Sequence, residues 1–214
     1  MSGSGRSAQD RPFEGVVLLA SLGGIHALST VLGALPSTFP VPVVAVQHGR
    51  RNPDGGLLGK LLARRTALPV RDAGPGLAFA RPGITVVPTG WDATLDGAGR
   101  YALTPSDGMH GGDGLLADVA LSAGPAAIAV VLTGLQRDGA RGVQEVKRRG
   151  GRVLVQDPAT ARAGAMPSAA IATGCVDFVL PLDRIGPALV ALAMAPGGAA
   201  LLAVPTAPWA RLPA

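Results

Sequence analysis

The sequence is poor in several residue types, and each shortage excludes a class of protein. A single cysteine, Cys175, stands among 214 residues, which excludes an intrachain disulfide and a cysteine-based zinc site. Aromatic residues make up only 3% of the chain, so aliphatic side chains must fill the interior. No apolar run reaches the length of a membrane span, and the Ser-, Gly- and Arg-rich N-terminus lacks the apolar centre of a secretory signal. We therefore expect a cytoplasmic protein without membrane insertion.

Lysine is also scarce, because Lys60 and Lys147 are the two lysines of the sequence. Arginine therefore contributes most of the positive charge, and the formal net charge is +5. A basic balance suits an acidic partner. No dense Lys/Arg run is interleaved with aromatic residues, so a nucleic-acid partner is not expected. The hydrophobic content of 48% and the length suit one globular domain. We predict a disordered N-terminus over residues 1–13, one domain over 14–194, and a loosely packed or extended Pro/Ala-rich tail over 195–214.

Short apolar runs alternate with helical patterns along most of the chain, which predicts an α/β fold. Buried strands are expected at residues 16–20, 41–46, 69–71, 126–132, 153–156 and 176–180. Helices are expected at residues 25–35, 54–62, 115–122, 140–149, 166–173 and 185–194. Residues 84–87, 93–95 and 100–103 are predicted to form an antiparallel ribbon. The fold class is therefore a doubly wound, mostly parallel, Rossmann-like sheet with an inserted antiparallel hairpin.

Three polar residues directly follow buried strands of this predicted sheet: Ser21, His48 and Asp138. Right-handed crossovers bring the carboxyl ends of parallel strands to one edge, where reacting groups collect in such folds. A serine hydroxyl becomes a nucleophile when a base removes its proton, imidazole is such a base, and a carboxylate orients the imidazole. The pattern predicts a Ser-His-Asp catalytic triad.

Each of these residues also has a purely structural explanation. Ser21 suits a helix cap before Gly23 and Gly24, and Asp138 suits a cap of the helix that follows it. His26 and His110 compete with His48 for the role of base. Cys175 is interpreted as a packing residue rather than a catalytic thiol.

The oxyanion of a tetrahedral intermediate needs two hydrogen-bond donors. The N–H of Leu22 is one candidate, because it follows the serine at a helix N-terminus, where main-chain amides lack partners. The N–H of Leu135 is the other, since Gly134 lets that loop approach closely.

Three segments resemble motifs of one family: Ala20-Ser-Leu-Gly-Gly-Ile-His-Ala-Leu28, Val46-Gln-His48 and Leu132-Thr-Gly-Leu-Gln-Arg-Asp-Gly-Ala140. The family is the catalytic domain of the chemotaxis protein-glutamate methylesterases (CheB), which carries A-S-x-G-G, Q-H and L-T-G-M-x-x-D-G-A in this order. Gln156-Asp-Pro and Ala165-Met-Pro-Ser-Ala-Ala-Ile171 resemble its late Q…G-M-P-x-x-A pattern.

The resemblance implies Ser21 as nucleophile, His48 as base and Asp138 as the residue that orients the base. It implies hydrolysis of glutamate γ-methyl esters on a protein such as a chemoreceptor cytoplasmic domain, with glutamine deamidation as a related activity. No metal or organic cofactor is implied. Substrate contacts are expected from four residues near the triad, namely Gly23, Gly24, Gly134 and Met166.

The sequence departs from the family pattern in three segments, residues 49–53, 88–93 and 107–118. These segments flank the predicted site, so they bear on substrate recognition. The family's usual N-terminal phospho-receiver domain is expected to be absent, because the first strand begins within the first twenty residues, so we expect control by a partner or no control at all. The alternative interpretation is a diverged or non-catalytic binding module, or an esterase for a different ester.

Overall fold

The structure, a computed structural model, describes residues 13–49, 56–106 and 111–213. Nine strands lie in these ranges: β1 (Gly15–Ala20), β2 (Val43–Gln47), β3 (Val70–Asp72), β4 (Ile84–Val87), β5 (Trp91–Leu95), β6 (Tyr101–Pro105), β7 (Ala127–Val131), β8 (Arg152–Gln156) and β9 (Phe178–Leu180). The helices in these ranges are α1 (Gly24–Gly33), α2 (Leu57–Ala63), α3 (Gly111–Ala123), α4 (Ala140–Arg148), α5 (Ala165–Ile171), α6 (Leu182–Met194) and α7 (Gly198–Leu201). The predicted segment 1–13 and the predicted cap Asp54 lie outside the described residues, apart from Phe13.

Seven of these strands form one parallel sheet in the order β3-β4-β2-β1-β7-β8-β9. The first strand, β1, therefore lies at the centre, with β2 on one side and β7 on the other. Its register pairs Ala20 with Gln47 and Leu19 with Val131. The three strands end level with one another, so the residues that follow them meet at one edge.

The sheet is buried on both faces, because every residue of β1 and β7 is buried. Val16, Leu18 and Ala20 pack with the apolar side chains of α1, α2 and α6. Val17 and Leu19 pack on the other face with those of α3, α4, α5 and the β5–β6 hairpin. The result is three layers, helices on both sides of a parallel sheet, as the sequence pattern predicted.

The predicted ribbon is wrong in one strand. Of the three predicted strands, β5 and β6 pair antiparallel, as a separate two-stranded sheet. Strand β4 belongs to the main sheet, where it lies parallel between β3 and β2. Its four residues are all buried, as in the other central strands. A four-residue run with three apolar residues carries no sign of the strand with which it pairs, which explains the error.

Parts of the C-terminal segment contact the domain. Its helix α7 follows α6, and Trp209 lies against Gly174. Lys147 forms a buried ion pair with Asp177 and also donates to the main-chain oxygen of Val204 at 3.2 Å. Within the described ranges, no helix is both long and apolar enough to span a membrane.

Candidate active site

Ser21 lies at the carboxyl end of the central strand, with its main chain fixed on both sides. Its N–H donates to the Thr133 oxygen at 2.9 Å, which ties it to the end of β7. Its carbonyl oxygen accepts hydrogen bonds from Gly24 N–H at 2.8 Å and from Gln47 Nε2 at 2.6 Å. The serine is therefore held by the strands on both sides of β1.

The turn after Ser21 needs a glycine at its second position. Gly23 has a φ of 85°, in the left-handed region that favours glycine. A Cβ on Gly23 would lie 2.8 Å from the Cβ of Arg162, so the turn also lacks room for a side chain. The helix α1 starts directly afterwards at Gly24, which leaves the positive end of its dipole beside the serine.

His48 follows the neighbouring strand β2, and its N–H donates to the Ala20 oxygen at 2.8 Å. Its Nε2 lies 2.9 Å from Oδ2 of Asp138, although the ring N–H is not aligned as in a linear hydrogen bond. Because Nε2 faces the carboxylate, Nδ1 is the ring nitrogen left to accept a proton. This is the reverse of the nitrogen assignment in the serine-protease template.

Asp138 is buried, and two main-chain amides at the start of α3 hold its carboxylate. Gly112 N–H donates to Oδ2 at 2.8 Å and Asp113 N–H to Oδ1 at 2.9 Å. Burial alone would raise the pKa of Asp138, but the contact and electrostatic interaction with His48 and the hydrogen bonds from the two amides outweigh burial and hold that pKa below its usual value. The carboxylate is thus kept charged beside the imidazole. The sequence analysis did not predict that the start of α3 would hold the Asp138 carboxylate.

Asp113 is a second carboxyl group close to Asp138. Its Oδ1 accepts a 2.8 Å hydrogen bond from Gly142 N–H in α4. Burial raises the pKa of Asp113, and the negative charge of Asp138 adds to that rise, against the lowering effect of the main-chain amides. The two neighbouring carboxyl groups therefore have pKa values shifted in opposite directions.

Ser21, His48 and Asp138 come from three adjacent strand ends, and Ser21 and His48 both line one groove of about 1080 Å³. Within the described residues, the Ser21 hydroxyl makes no hydrogen bond to the His48 ring. His26 also lines the groove but is exposed on α1, and His110 lies outside the described residues. Because catalytic hydrogen bonds are often long before substrate binds, the missing Ser21–His48 hydrogen bond does not rule the triad out. The triad stays a prediction.

The two predicted oxyanion donors, the N–H groups of Leu22 and Leu135, each share a peptide unit with a carbonyl oxygen that already accepts hydrogen bonds. The Ser21 oxygen accepts from Gln47 and Gly24, and the Gly134 oxygen accepts from Met166 N–H at 3.0 Å. In a planar trans peptide the N–H points away from the carbonyl of the same unit, so each bond also fixes the direction of the Leu22 or Leu135 N–H. Neither N–H donates a hydrogen bond to any described residue.

The four predicted substrate contacts divide into two groups. Gly23 and Gly24 line the groove. Gly134 and Met166 are buried beneath it, with Met166 fully inaccessible. A Cβ on Gly134 would lie 1.9 Å from Sδ of Met166 and 3.0 Å from Cβ of Ser21. The structure therefore places Met166 as a support under the loop, without a face on the groove.

Two polar side chains near the site were not singled out from the sequence. Gln47 bridges the Ser21 and His48 oxygens through Nε2, at 2.6 and 3.1 Å. The Thr133 hydroxyl donates to the Leu22 oxygen at 2.8 Å, and its N–H donates to Oε1 of buried Gln156 at 3.0 Å. Both residues lie within the quoted motifs, which was the available signal. Among the described residues, no group of three or more His, Cys, Asp or Glu side chains is arranged to hold a metal ion.

Comparison with known proteins gives consistent matches. The model of the CheB methylesterase family matches residues 16–189. Protein-glutamate methylesterase FrzG of Myxococcus xanthus is 38% identical over 183 residues, covering 84% of this chain and 54% of that protein. A protein-glutamate methylesterase/protein-glutamine glutaminase of Moorella thermoacetica is 39% identical over 206 residues, covering 91% and 48%. The chain thus spans about half the length of these curated relatives.

A solved structure of the same family has a similar fold. The crystal structure of the Thermotoga maritima CheB methylesterase catalytic domain superposes with a TM-score of 0.77 and 30% sequence identity. The match covers 85% of this chain and 99% of that domain.

Proposed function

The chain belongs to the CheB methylesterase family, and from this we propose that it is a serine carboxylesterase that hydrolyses glutamate γ-methyl esters on a protein. A chemoreceptor cytoplasmic domain is the class of substrate proposed, with glutamine deamidation as the related reaction. The observation that carries the proposal is the 2.9 Å approach of His48 to the buried Asp138, at the sheet edge where Ser21 ends the central strand.

In the proposed reaction, Ser21 Oγ bonds to the ester carbonyl carbon as its proton passes to Nδ1 of His48. The bond from that carbon to the methoxy oxygen then breaks, His48 returns the proton to that oxygen, and methanol leaves. Water next bonds to the acyl carbon while His48 takes its proton. The bond from that carbon to Ser21 Oγ then breaks and His48 returns the proton to Oγ, which yields the free glutamate side chain and restores Ser21 and neutral His48. Asp138 stays ionised throughout, and its negative charge stabilises the imidazolium.

The oxyanion of each tetrahedral intermediate is proposed to accept hydrogen bonds from the Leu22 and Leu135 N–H groups. The support for this is that both carbonyls behind these amides are already occupied, while the two N–H groups have no described partner. Donors fixed in advance lower the barrier because little reorganisation is needed when charge develops. Loss of one such donor typically costs about 10²–10³ in kcat.

The test is covalent labelling with a fluorophosphonate together with methanol release from a glutamate γ-methyl ester. We expect the wild-type protein to react, and Ser21→Ala to lose labelling and to lower turnover by several orders of magnitude. Ser29→Ala is the matched control, because Ser29 lines the same groove on α1. Equal turnover in wild type and Ser21→Ala would overturn the proposal.

A second candidate function, a binding module without catalysis, is favoured by one observation. The Ser21 hydroxyl lacks a hydrogen bond to the His48 ring within the described residues. In that case the fluorophosphonate would leave Ser21 unlabelled, even though the protein is folded by circular dichroism.

A further inference from the structure

The groove beside Ser21 continues along one face of α1. Ile25, His26, Ser29 and Thr30 line it, and spacings of three and four residues put them on one side of the helix. From residue 25 to residue 30 the helix rises about 7.5 Å. The volume of about 1080 Å³ is at the upper end for small-molecule pockets. The groove therefore has room for several residues of a polypeptide beyond one esterified side chain.

The charged residues among the described lining of this groove are positive. Arg65 and Arg162 line it, and the described lining residues include no aspartate or glutamate. Both arginines are exposed, and neither guanidinium has a hydrogen bond or ion pair with a described residue. An occupant with free carboxylates would meet two cations and no anion among the described residues that line this groove.

Arg162 is held close to the proposed nucleophile. Its side-chain carbons cover Gly23, since a Cβ on that glycine would lie 2.8 to 3.4 Å from Cβ, Cδ and Cγ of the arginine. The next residue, Ala163, is tied to the site by its N–H to the Thr133 hydroxyl at 2.9 Å and by its oxygen to Gly134 N–H at 2.8 Å. The guanidinium is thus carried on a fixed segment directly beside the turn after Ser21.

Apolar side chains complete the lining. Leu22, Ile25, Leu61 and Leu135 are 42%, 49%, 37% and 63% exposed and line the same groove. Clustered exposed apolar surface is a feature of interaction sites. Together with the two arginines, it matches a segment that carries both carboxylates and a large apolar side chain.

We propose, on the premise of the proposed function, that this groove binds an acidic polypeptide segment around the esterified glutamate. Free carboxylates of that segment lie against Arg162 and Arg65, and an apolar side chain packs on the four exposed aliphatic residues. The arginines select the substrate by charge, whereas Ser21, His48 and Asp138 perform the reaction.

The test compares two peptides that share a central glutamate γ-methyl ester and an apolar residue but carry either glutamate or glutamine at the flanking positions. We expect a higher kcat/KM for the acidic peptide, and we expect added salt to reduce that advantage. Arg162→Gln and Arg65→Gln should each reduce the advantage by about two- to fivefold, the range for exposed ion pairs. Arg162→Lys should retain most of it.

The control variant is Arg184→Gln, which removes an exposed arginine of α6 that does not line the groove. A small uncharged ester, N-acetylglutamate γ-methyl ester N-methylamide, should be hydrolysed by Arg184→Gln at the wild-type rate, and it reports whether the esterase reaction itself takes place. Equal kcat/KM for both peptides, with this small ester still hydrolysed, would overturn the groove proposal and leave the proposed function intact.

If neither peptide nor the small ester is hydrolysed, the proposed function fails, and binding then tests the groove separately. Fluorescence anisotropy of the labelled acidic peptide with Ser21→Ala protein should give a Kd that Arg162→Gln and Arg65→Gln weaken. A Kd that neither substitution changes, or one equal to that of the glutamine peptide, would overturn the groove proposal.

Discussion

The amide nitrogen of Gln47 donates a 2.6 Å hydrogen bond to the main-chain oxygen of Ser21. The residue before His48 thereby fixes the peptide unit that carries the Leu22 N–H. Strand β2 contributes to the site twice, through the His48 imidazole and through this amide, which also reaches the His48 oxygen at 3.1 Å.

Gln47→Leu should lower kcat about tenfold with little change in KM for the small ester, because the Leu22 N–H would lose its fixed direction. This is less than the 10²–10³ expected when an oxyanion donor itself is removed. Steady-state methanol release measures both constants. Gln144→Leu is the control, since it removes an amide that holds the C-terminal segment at Arg211. A change confined to KM would argue against an orienting role for Gln47.

Gly134→Ala should both destabilise the protein and abolish esterase activity. The new Cβ would meet Met166 and Ser21, and overpacking of this kind costs about 1–3 kcal/mol. Gly114→Ala is the matched control, because that position in α3 has no atom within 4 Å of the added Cβ. It should raise the free energy of unfolding by about 0.5–1 kcal/mol, as alanine favours a helix over glycine. Urea denaturation and methanol release give the two readouts.

Asp138 and Asp113 should affect stability with opposite dependence on pH. Asp138 has a lowered pKa, so its contribution is present above the unfolded pKa near 3.9 and is lost as pH falls through the folded value. Asp113 has a raised pKa, so stability decreases as pH rises from the unfolded value through the folded one.

Replacement by asparagine separates these two contributions. Asp138→Asn should remove part of the acid-side loss of stability, and Asp113→Asn should remove part of the loss that occurs as its carboxyl ionises. Urea midpoints measured from pH 3 to pH 7 on both variants and wild type test the signs. Parallel curves for the two variants would contradict the opposite shifts.

Lys147→Met should destabilise the protein strongly, because it leaves Asp177 buried without its cation. Breaking a buried ion pair from one side costs about 3–5 kcal/mol. Adding Asp177→Asn to Lys147→Met should restore part of that loss. The control is Arg148→Gln, which breaks the partly exposed pair of Arg148 with Glu145 and should cost less than about 1 kcal/mol. Urea denaturation of the four proteins measures the difference.

Much of the fold was predictable from the chain, and the predicted fold class and family are confirmed. The apolar runs of β1, β2 and β7 are long and bounded by glycine or proline, so their existence and type were clear. The sequence pattern places strand β4 in the ribbon, because a four-residue strand with three apolar residues carries no information about the strand with which it pairs. The sequence also did not predict that Met166 lies beneath Gly134, away from the groove. A motif indicates that a residue is near the site, but it does not indicate which way its side chain faces.

By itself, the sequence determined the alternation of strands and helices, the three polar residues at strand ends, and the lack of a cysteine partner for Cys175. Only the tertiary structure decided which face each strand residue takes, because strands buried on both faces have no polar and apolar alternation to read. It also decided that β1 lies between β2 and β7, which brings Ser21 together with residues 27 and 117 positions further along the chain. Contacts such as Gln47 with Ser21 and Arg162 with Gly23 depend on that strand order and on side-chain packing, and neither is encoded in a local pattern of residues.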